Sequence, residues 1–381
     1  MEHVAIDLGG RESQLCVRNE RGEILVERRV TTRSLEKHLR KRPKSVVVME
    51  TCAEAFSVAD AAAALGHEVR VVPATLVRAL GVGARGIKTD VRDARVLSEA
   101  SVRMTLPSVH VPSLASRDGK ALCNARDVLV KCRTMLINAQ RGYLRTQTVK
   151  VAPGGSETFP ARVAKALRKA QGEPTPAQSS SAPQDTTSAT VDRNKYPSAL
   201  SASGALPVFA DRLLCAIGEL TERIAQADEE LKQRVAPDPV CQRLMSIPGV
   251  GPVCATRFVT TLDTVERFAS TAQVQSYLGL VPGEQQSGDK RRQTRMIKCG
   301  AAPARAALVQ SAWCLYRLRK NDPLVLWATE LEKRRGKKIA ISSLARKLAT
   351  VMFVLWRDGT TYEPSRVLRN ASKREEATAT S

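Results

Sequence analysis

Two acidic residues near the start of the chain occupy positions that suit metal ligands. Asp7 follows the apolar run 4–6, and Glu50 follows the apolar run 46–49, so both stand at the ends of predicted buried strands. Burying an ionised carboxylate is strongly unfavourable unless it is paired or bound to a metal ion. A shared divalent cation would explain both acids, and solvated strand ends are the alternative.

A second pair of acids, Asp90 and Asp93, begins a segment whose pattern predicts a helix over 89–100. Residues three apart lie on one face of a helix, so the two carboxylates could bind one cation. The alternative is an ordinary helix start, in which Thr89 or Asp90 caps the helix and acids favour its first turn. The residues alone leave both interpretations open.

The charge balance indicates a polyanionic partner. The 381 residues include 60 Lys and Arg against 38 Asp and Glu, a net charge of +22 with a pI near 10.0. Because the surplus is spread over the whole chain, nucleic acid is the first candidate. A membrane surface is the alternative, but no stretch approaches the roughly 18–20 apolar residues of a spanning helix.

The expected location is the cytoplasm. The chain enters its first predicted strand directly, without a signal sequence. Its nine cysteines are odd in number, scattered and free of any Cys-x-x-Cys pair. This pattern is typical of reduced thiols and not of a disulfide framework or a zinc site.

The first 115 residues predict an α/β domain. Strands are predicted at 4–8, 14–18, 23–30, 45–49 and 67–72, with helices at 34–40 and 53–65. Three antiparallel strands followed by alternating helices and strands is the ribonuclease H-like order. In that fold, acids at the ends of the first and fourth strands and on a late helix converge on one metal site.

Residues 116–236 predict a coiled-coil dimerisation domain. Two apolar stripes recur at alternating spacings of three and four: Leu122, Ala125, Leu129, Cys132, Leu136, Ala139 and Tyr143, then Leu213, Ile217, Leu220, Ile224, Ala227 and Leu231. The two helices could pair with each other or with another protomer. Between them, the segment 152–207 is rich in Pro, Gly and Ser, which predicts a flexible insert that could contain a short basic helix at 161–170.

Residues 237–368 predict a helical domain, and residues 369–381 a disordered tail. The segment 247–252 contains Gly249 and Gly251 ahead of an apolar helix and has the form of a helix-hairpin-helix element. Such glycines permit a tight turn whose backbone N–H groups face a phosphate. A plain turn between helices is the alternative.

A serine in the same domain precedes a basic run. Ser287 lies ahead of five cations, Lys290, Arg291, Arg292, Arg295 and Lys298. A loop serine before glycine is usually a turn residue. If Ser287 is a nucleophile, no histidine of this domain can be its base, because none follows His110. Phosphoryl transfer assisted by cations or metal is therefore favoured over a Ser-His-Asp hydrolase.

These motifs together resemble the bacterial insertion-sequence transposases of the IS one-ten group, also called DEDD transposases or bridge-RNA-guided recombinases. The matching segments are Ile6-Asp7-Leu8, Val48-Met49-Glu50, Lys88-Thr89-Asp90-Val91-Arg92-Asp93-Ala94, 247–252, 277–282 and Ser287-Gly288. They occur in the order found in the family and span most of the chain outside the insert.

The resemblance implies a RuvC-like domain whose acids Asp7, Glu50, Asp90 and Asp93 bind Mg²⁺, a coiled-coil dimerisation domain, and a transposase domain with Ser287 as nucleophile. It also implies a noncoding bridge RNA that pairs with donor and target double-stranded DNA, and strand exchange through phosphoserine intermediates. The active site would combine the acids of one protomer with the serine of another, in a dimer or dimer of dimers.

Two other functions remain open from the sequence. A metal-dependent, structure-selective endonuclease of the Holliday-junction type would use the acids alone, with Ser287 structural and no covalent intermediate. A nucleic-acid-binding protein without catalysis would fit the charge and the hairpin motif. That last reading leaves the acids at the strand ends unexplained.

Overall fold

A computed structural model describes residues 1–80, 89–170, 206–287, 290–297 and 299–365. The chain divides into two compact units, Met1–Ser113 and a second unit from Leu114 onward. Each unit has its own hydrophobic core.

The first unit is built on a five-stranded mixed sheet. Its strands are β1 Glu2–Asp7, β2 Glu12–Arg18, β3 Ile24–Thr31, β4 Ser45–Glu50 and β5 Glu68–Val72, in the order β3-β2-β1-β4-β5. The first three strands pair antiparallel, whereas β4 runs parallel to both β1 and β5. The predicted mixed α/β architecture is confirmed, and it is consistent with a RuvC-like domain.

Helices cover both faces of this sheet: α1 Leu35–Leu39, α2 Ala55–Ala64, α3 Ala74–Ala79 and α4 Asp90–Arg103. Side chains alternate between the two faces along a strand. Ile6 and Met49 therefore pack in one core with α1 and α2. Ala5 and Val48 pack in the other core, which includes Leu97 of α4.

The second unit begins with a long antiparallel helix pair, α5 Leu114–Thr146 and α7 Val208–Val235, joined by a chain that contains α6 Phe159–Ala170. At one end of the pair, Arg234 donates to the carbonyl oxygen of Ala115 (2.6 Å). Farther along, Arg133 donates to Thr221 (3.2 Å). The two helices therefore pack against each other within one chain, while the coiled-coil dimer stays a prediction.

The buried stripe of α5 is offset by one residue from the predicted one. Cys123, Ile137 and Leu144 are buried, whereas Ala125 and Cys132 of the predicted stripe are exposed. One residue turns a helix by about 100°. The pattern of apolar residues does not predict this buried face, because two of its residues are polar. Arg126 pairs with Asp228, and Arg133 donates to Thr221.

Part of the predicted flexible insert is ordered. Helix α6 buries Phe159, Val163 and Leu167 against apolar side chains of α5 and α7. Its burial explains why a basic, Pro-flanked segment is folded. Residues 171–205 and the tail 369–381 lie outside the described residues.

The rest of the second unit contains α8 Pro239–Met245, α9 Pro252–Leu262, α10 Thr271–Tyr277, α11 Ala302–Leu318, α12 Pro323–Arg335 and α13 Lys337–Asp358. An antiparallel hairpin, β6 Pro282–Ser287 and β7 Lys290–Met296, interrupts these helices. The prediction of a purely helical domain is corrected by this hairpin. Its strands are polar and largely free of the β-branched residues that usually indicate strands.

Helix α13 is long and apolar enough to cross a membrane, which corrects the expectation that no stretch is. Half of its most apolar window is buried inside the unit. Ile341, Leu348 and Phe353 belong to the core shared with α9 and α11. This is the position of a core helix in a globular domain.

Candidate active site

The sheet places Asp7 and Glu50 side by side. Strands β1 and β4 are parallel neighbours, and Ile6 pairs with Met49. The next residues, Asp7 and Glu50, therefore leave the same edge on strands about 5 Å apart. Since Ala5 and Val48 lie on the α4 face, the alternation along each strand puts both acids on that face as well.

Helix α4 brings Asp93 to the same edge. His3 Nδ1 lies 2.8 Å from Ser101 Oγ, which joins the start of β1 to the end of α4. The helix rises about 12 Å from Ser101 back to Asp93, and β1 advances about 13 Å from His3 to Asp7. At the other end of α4, Asp90 contacts Arg29, which lies in register with Asp7 across the sheet. Helix α4 therefore runs antiparallel to β1, and its first turn is level with Asp7. Asp93 lies on the buried face of α4 and is 6% exposed.

The fourth acid, Asp90, points elsewhere. It is exposed, and Arg29 Nη2 lies 3.2 Å from its Oδ2. In the sheet register, Arg29 of β3 lies opposite Gln14 of β2, and Gln14 lies opposite Asp7 of β1. Arg29 is therefore in register with Asp7, two strands away. Thr89 is the N-cap of α4, accepting from the backbone N–H of Arg92 (3.3 Å). Thr89 therefore caps the helix, as the helix-start interpretation predicts. Asp90 is held by its ion pair with Arg29 of β3.

The arrangement fits a divalent cation in part. Asp7, Glu50 and Asp93 offer carboxylate oxygens, the ligands that Mg²⁺ prefers, at one edge and on one face of the sheet. However, among the described residues no three His, Cys, Asp or Glu side chains come together as a metal-holding group. Asp90 would have to leave Arg29 to join the other acids.

Ser287 is the last residue of β6, and it pairs with Lys290, the first residue of β7. The structure thus places the serine at the tip of a hairpin instead of in an open loop. The same strand β7 carries Arg291, Arg292 and Arg295, of which Arg292 and Arg295 are exposed. Lys298 lies outside the described residues. The tip is therefore strongly cationic, as a phosphate-binding element requires.

Two glycines fix the base of this hairpin. Gly279 (φ +65°) comes so close to the chain that a Cβ there would lie 1.9 Å from the carbonyl oxygen of Cys299. A Cβ on Gly300 (φ +83°) would lie 2.1 Å from the carbonyl oxygen of Tyr277. Only glycine permits this crossing of the two chain segments.

An arginine reinforces the same crossing. Arg305 Nη1 in the first turn of α11 donates to the carbonyl oxygens of Leu278 (2.9 Å) and Cys299 (3.1 Å). It therefore ties both ends of the hairpin to α11. The predicted site residues do not include Arg305. The signal that could have found it is its position shortly after the basic strand β7.

The two glycines of the predicted helix-hairpin-helix have different roles. Gly249 (φ +87°) packs against α11, where a Cβ would lie 2.8 Å from the backbone nitrogen of Leu315. Gly251 has open space around it and is the N-cap of α9, without a side-chain cap. The helix–turn–helix geometry is present, and the assignment as a nucleic-acid element stays a proposal.

Two transposase family profiles match this chain, one in each half. A profile described as the transposase IS116/IS110/IS902 family matches residues 241–324, and a transposase profile of the DEDD type of IS110 matches residues 4–148. The chain belongs to the IS110/IS116 family of transposases. The DEDD match covers the whole sheet and α4, and the other match covers α9, the Ser287 hairpin and α11.

Relatives of this transposase match along nearly its full length. It is 28% identical over 366 residues to a transposase for insertion sequence element IS1111A of Coxiella burnetii, with 94% of this chain and 90% of the relative covered. It is 27% identical over 368 residues to a transposase for IS1328 of Yersinia enterocolitica, covering 94% and 98%. A probable family 20 transposase of Pseudomonas aeruginosa is 25% identical over 370 residues, covering 96% and 99%.

The transposase is therefore a DNA-cleaving and recombining enzyme of an insertion sequence. Transposases of the DEDD type generally use a divalent metal. The predictions of an enzyme, of an insertion-sequence transposase and of DNA as a partner are confirmed.

Proposed function

We propose that this transposase exchanges DNA strands through phosphoserine intermediates at Ser287, guided by a noncoding bridge RNA. The observation that carries the proposal is the pairing of two features in one chain. One is a sheet edge bearing Asp7, Glu50 and Asp93, and the other is a cationic hairpin with Ser287 at its tip. The family match covers both features.

In the proposed reaction, Ser287 Oγ attacks a phosphorus of the DNA backbone. A serine–phosphate bond forms, the bond to a deoxyribose oxygen breaks, and that oxygen leaves as a hydroxyl with a proton. A hydroxyl of the partner strand then attacks the phosphoserine, which restores the serine and joins the new strands. Because each step exchanges one phosphoester for another, no external energy source is needed.

The residues around the reaction have distinct proposed roles. Lys290, Arg291, Arg292, Arg295 and Lys298 hold the phosphate and stabilise its developing negative charge. Asp7, Glu50, Asp90 and Asp93 would hold Mg²⁺, which would neutralise phosphate charge when bound. Arg305 acts through the hairpin as a positioning residue, since it ties both ends of the hairpin to α11.

The direct test replaces the nucleophile. Ser287→Ala is expected to abolish strand exchange and any protein–DNA band on a denaturing gel, while DNA binding survives. Ser276→Ala is the matched control, because Ser276 is an exposed serine of the neighbouring helix α10. A covalent band that persists in Ser287→Ala would remove Ser287 from this role.

A second candidate function is a metal-dependent, structure-selective endonuclease without a covalent intermediate. It is favoured by one observation: Ser287 is the last residue of β6 and pairs with Lys290 at the end of a hairpin, where a serine commonly has only a structural role. This enzyme would release hydrolysed free ends and join nothing. Product analysis on a branched DNA separates the two functions.

We further propose that the active form is a homo-oligomer, a dimer or dimer of dimers, in the bacterial cytoplasm. Light scattering on the purified protein, with and without the RNA transcribed beside the gene, is the corresponding measurement. Strand exchange that is equally efficient without any RNA would contradict guidance by a bridge RNA.

A further inference from the structure

A basic cavity lies at the far end of the α5–α7 pair, away from the acids and the Ser287 hairpin in sequence. It measures about 920 Å³ and is lined by Arg141, Arg145, Thr148, Val149, Lys150, Val151 and Pro153. Its walls are the last turns of α5 and the chain that leads to α6. From its lining, we propose that this cavity binds the phosphodiester backbone of single-stranded nucleic acid.

The charges of the cavity support a polyanionic ligand. Arg141 and Arg145 are one helical turn apart, so they stand on the same face of α5, about 5–6 Å apart at Cβ. Lys150 adds a third cation. In the part of the chain that the structure describes, none of these three side chains forms an ion pair. Cations that lack an acidic partner are the groups that bind phosphates.

The surrounding segment has the same bias. Between residues 128 and 170 the chain contains nine Lys and Arg, and its single acidic residue is Glu157. The positive potential of this end of the molecule therefore extends beyond the cavity itself. Such a field draws in nucleic acid without reading its sequence.

The wall of the cavity is preorganised. The Arg141 guanidinium lies 5.3 Å from the centroid of the Phe159 ring, which is fully buried. This contact holds the arginine in place before any ligand arrives. The cost of ordering that side chain is then not incurred on binding.

The backbone at Thr148 is the second unusual feature. Helix α5 ends with the hydrogen bonds of a Schellman motif: Val149 N to Leu144 O (2.9 Å) and Thr148 N to Arg145 O (3.0 Å). Its left-handed position is normally glycine, but here it is Thr148 at φ +59°. A β-branched residue is disfavoured in this region, and such strain tends to occur at functional sites. Thr148 is one of the residues that line the cavity, and its hydroxyl is a donor of the kind that binds a phosphate oxygen.

The size of the cavity favours a single strand over a duplex. A volume of about 920 Å³ is at the upper end of the range that holds a drug-sized molecule. Backbone phosphates of a flexible strand fit such a space, whereas a double helix can only lie across its mouth. In this transposase the strand would be the proposed guide RNA or single-stranded DNA exposed during exchange, so this ligand assignment rests on the proposed function.

The test measures binding without catalysis, so its result is independent of whether Ser287 is the nucleophile. Arg145→Gln/Lys150→Gln removes two exposed charges of the cavity from the full-length chain. Lys131→Gln/Arg223→Gln is the matched control, because it removes two exposed charges of the same helix pair outside the cavity. Fluorescence anisotropy follows a short single-stranded RNA, a single-stranded DNA of the same sequence and the corresponding duplex over a range of salt concentrations.

The cavity variant is expected to lower the slope of log affinity against log salt by about 1.4 for a single strand, from about 0.7 per lost phosphate contact. A loss confined to RNA identifies the strand as RNA, and an equal loss for both strands identifies the shared backbone. The proposal is overturned if the cavity variant and the control variant give the same slopes, or if only duplex binding weakens. Circular dichroism confirms that both variants are folded.

Discussion

Asp93 is the least exposed of the four acids that the sequence singles out, and the first turn of α4 carries it to the sheet edge where Asp7 and Glu50 end their strands. Asp90, only three residues away, is instead exposed and held by Arg29. Spacing in the sequence makes these two aspartates equivalent, but their environments in the fold are different. In the proposed metal site, Asp93 therefore has the central position, and Asp90 would have to leave Arg29 to join it.

Replacing Asp93 tests this assignment. Asp93→Asn is expected to lower Mg²⁺-dependent DNA cleavage by about 100-fold or more, because a metal ligand is lost while the side-chain volume is kept. Cleavage is measured over a range of Mg²⁺ concentrations. Glu99→Gln on the same helix is the control, since Glu99 forms a surface ion pair with Arg103. Cleavage by Asp93→Asn at the rate of the control would end the metal-ligand role.

Gly279 carries a prediction about stability. Gly279→Ala would place a Cβ 1.9 Å from the carbonyl oxygen of Cys299 at a positive φ, so we expect it to lower the free energy of unfolding by about 2 kcal/mol or more. Urea unfolding measures the loss. The control is Gly142→Ala inside α5, where no described atom beyond the neighbouring helix backbone lies within 4 Å of the new Cβ. That change should stabilise the helix by about 0.5–1 kcal/mol. Equal effects of the two changes would contradict the crossing at Gly279.

At the scale of elements, α5 and α9 are joined by a buried arginine. Arg257 of α9 is 5% exposed and donates to Asp127 (2.6 Å) and to the carbonyl oxygen of Cys123 (3.0 Å), both in α5. A Cβ added at Gly119 of α5 would lie 2.6 Å from Thr260 of α9, so the two helices are in close contact. These contacts connect the long helix pair to the part of the unit that carries the hairpin.

Breaking this ion pair should be costly. Asp127→Ala leaves the buried guanidinium of Arg257 without its carboxylate, and we expect a loss of about 3 kcal/mol in the free energy of unfolding. Thermal unfolding followed by circular dichroism measures it. Asp118→Ala removes an exposed acid of the same helix and should change stability by less than about 0.5 kcal/mol. A small effect of Asp127→Ala would mean that Arg257 is satisfied by the backbone alone.

The elements also show which sequence signals are reliable. The strands of the first unit follow from alternating or continuous apolar runs, and the helices of the second unit from their 3.6-residue period. The Ser287 hairpin could not be predicted from an apolar pattern, because its strands are polar. Its base is held by the close chain contacts at Gly279 and Gly300 and by the hydrogen bond of Arg305. The buried face of α5 could not be predicted from an apolar pattern either, because two arginines with polar partners, Arg126 and Arg133, lie on it.

At the scale of the whole molecule, the positions of Asp7 and Glu50 could be predicted because strand ends are visible in the sequence. The contact of Asp90 with Arg29 could not, since it depends on how β3 lies beside β2 and on the direction of α4. The basic character of the chain predicted a nucleic-acid partner. It did not predict the cavity at the end of α5, which is formed by a loop that composition alone would leave unfolded.

The core of the second unit predicts loss of stability in alkali. Burial raises the pKa of the Cys254 thiol from 9.0 to about 11, and burial together with the charge of Asp322 raises the pKa of the Tyr362 hydroxyl. Because the folded state binds both protons more tightly than the unfolded state does, stability falls as the pH rises above the ordinary pKa of each group. For Cys254 the contribution is complete below pH 9 and is lost as the pH rises through about 11. For Cys254 the loss is on the order of 3 kcal/mol. This loss is measured as the change in the urea unfolding midpoint over a series of pH values from 8 to 11.

Cys254→Ala is the control for this pH effect. It removes the buried thiol, so the decline of stability above pH 9 should become shallower, although the variant is less stable at neutral pH. A decline as steep as that of the natural sequence would show that other groups cause it.

Ser287 is proposed to form the covalent bond to DNA, and this role is tested by mapping the protein–DNA adduct. The transposase is incubated with Mg²⁺ and its DNA substrate, denatured, and digested with protease and nuclease before mass spectrometry. The expected product is a peptide that carries a nucleotide phosphate on Ser287. A nucleotide on any other residue, or cleaved DNA with no modified peptide at all, would contradict it.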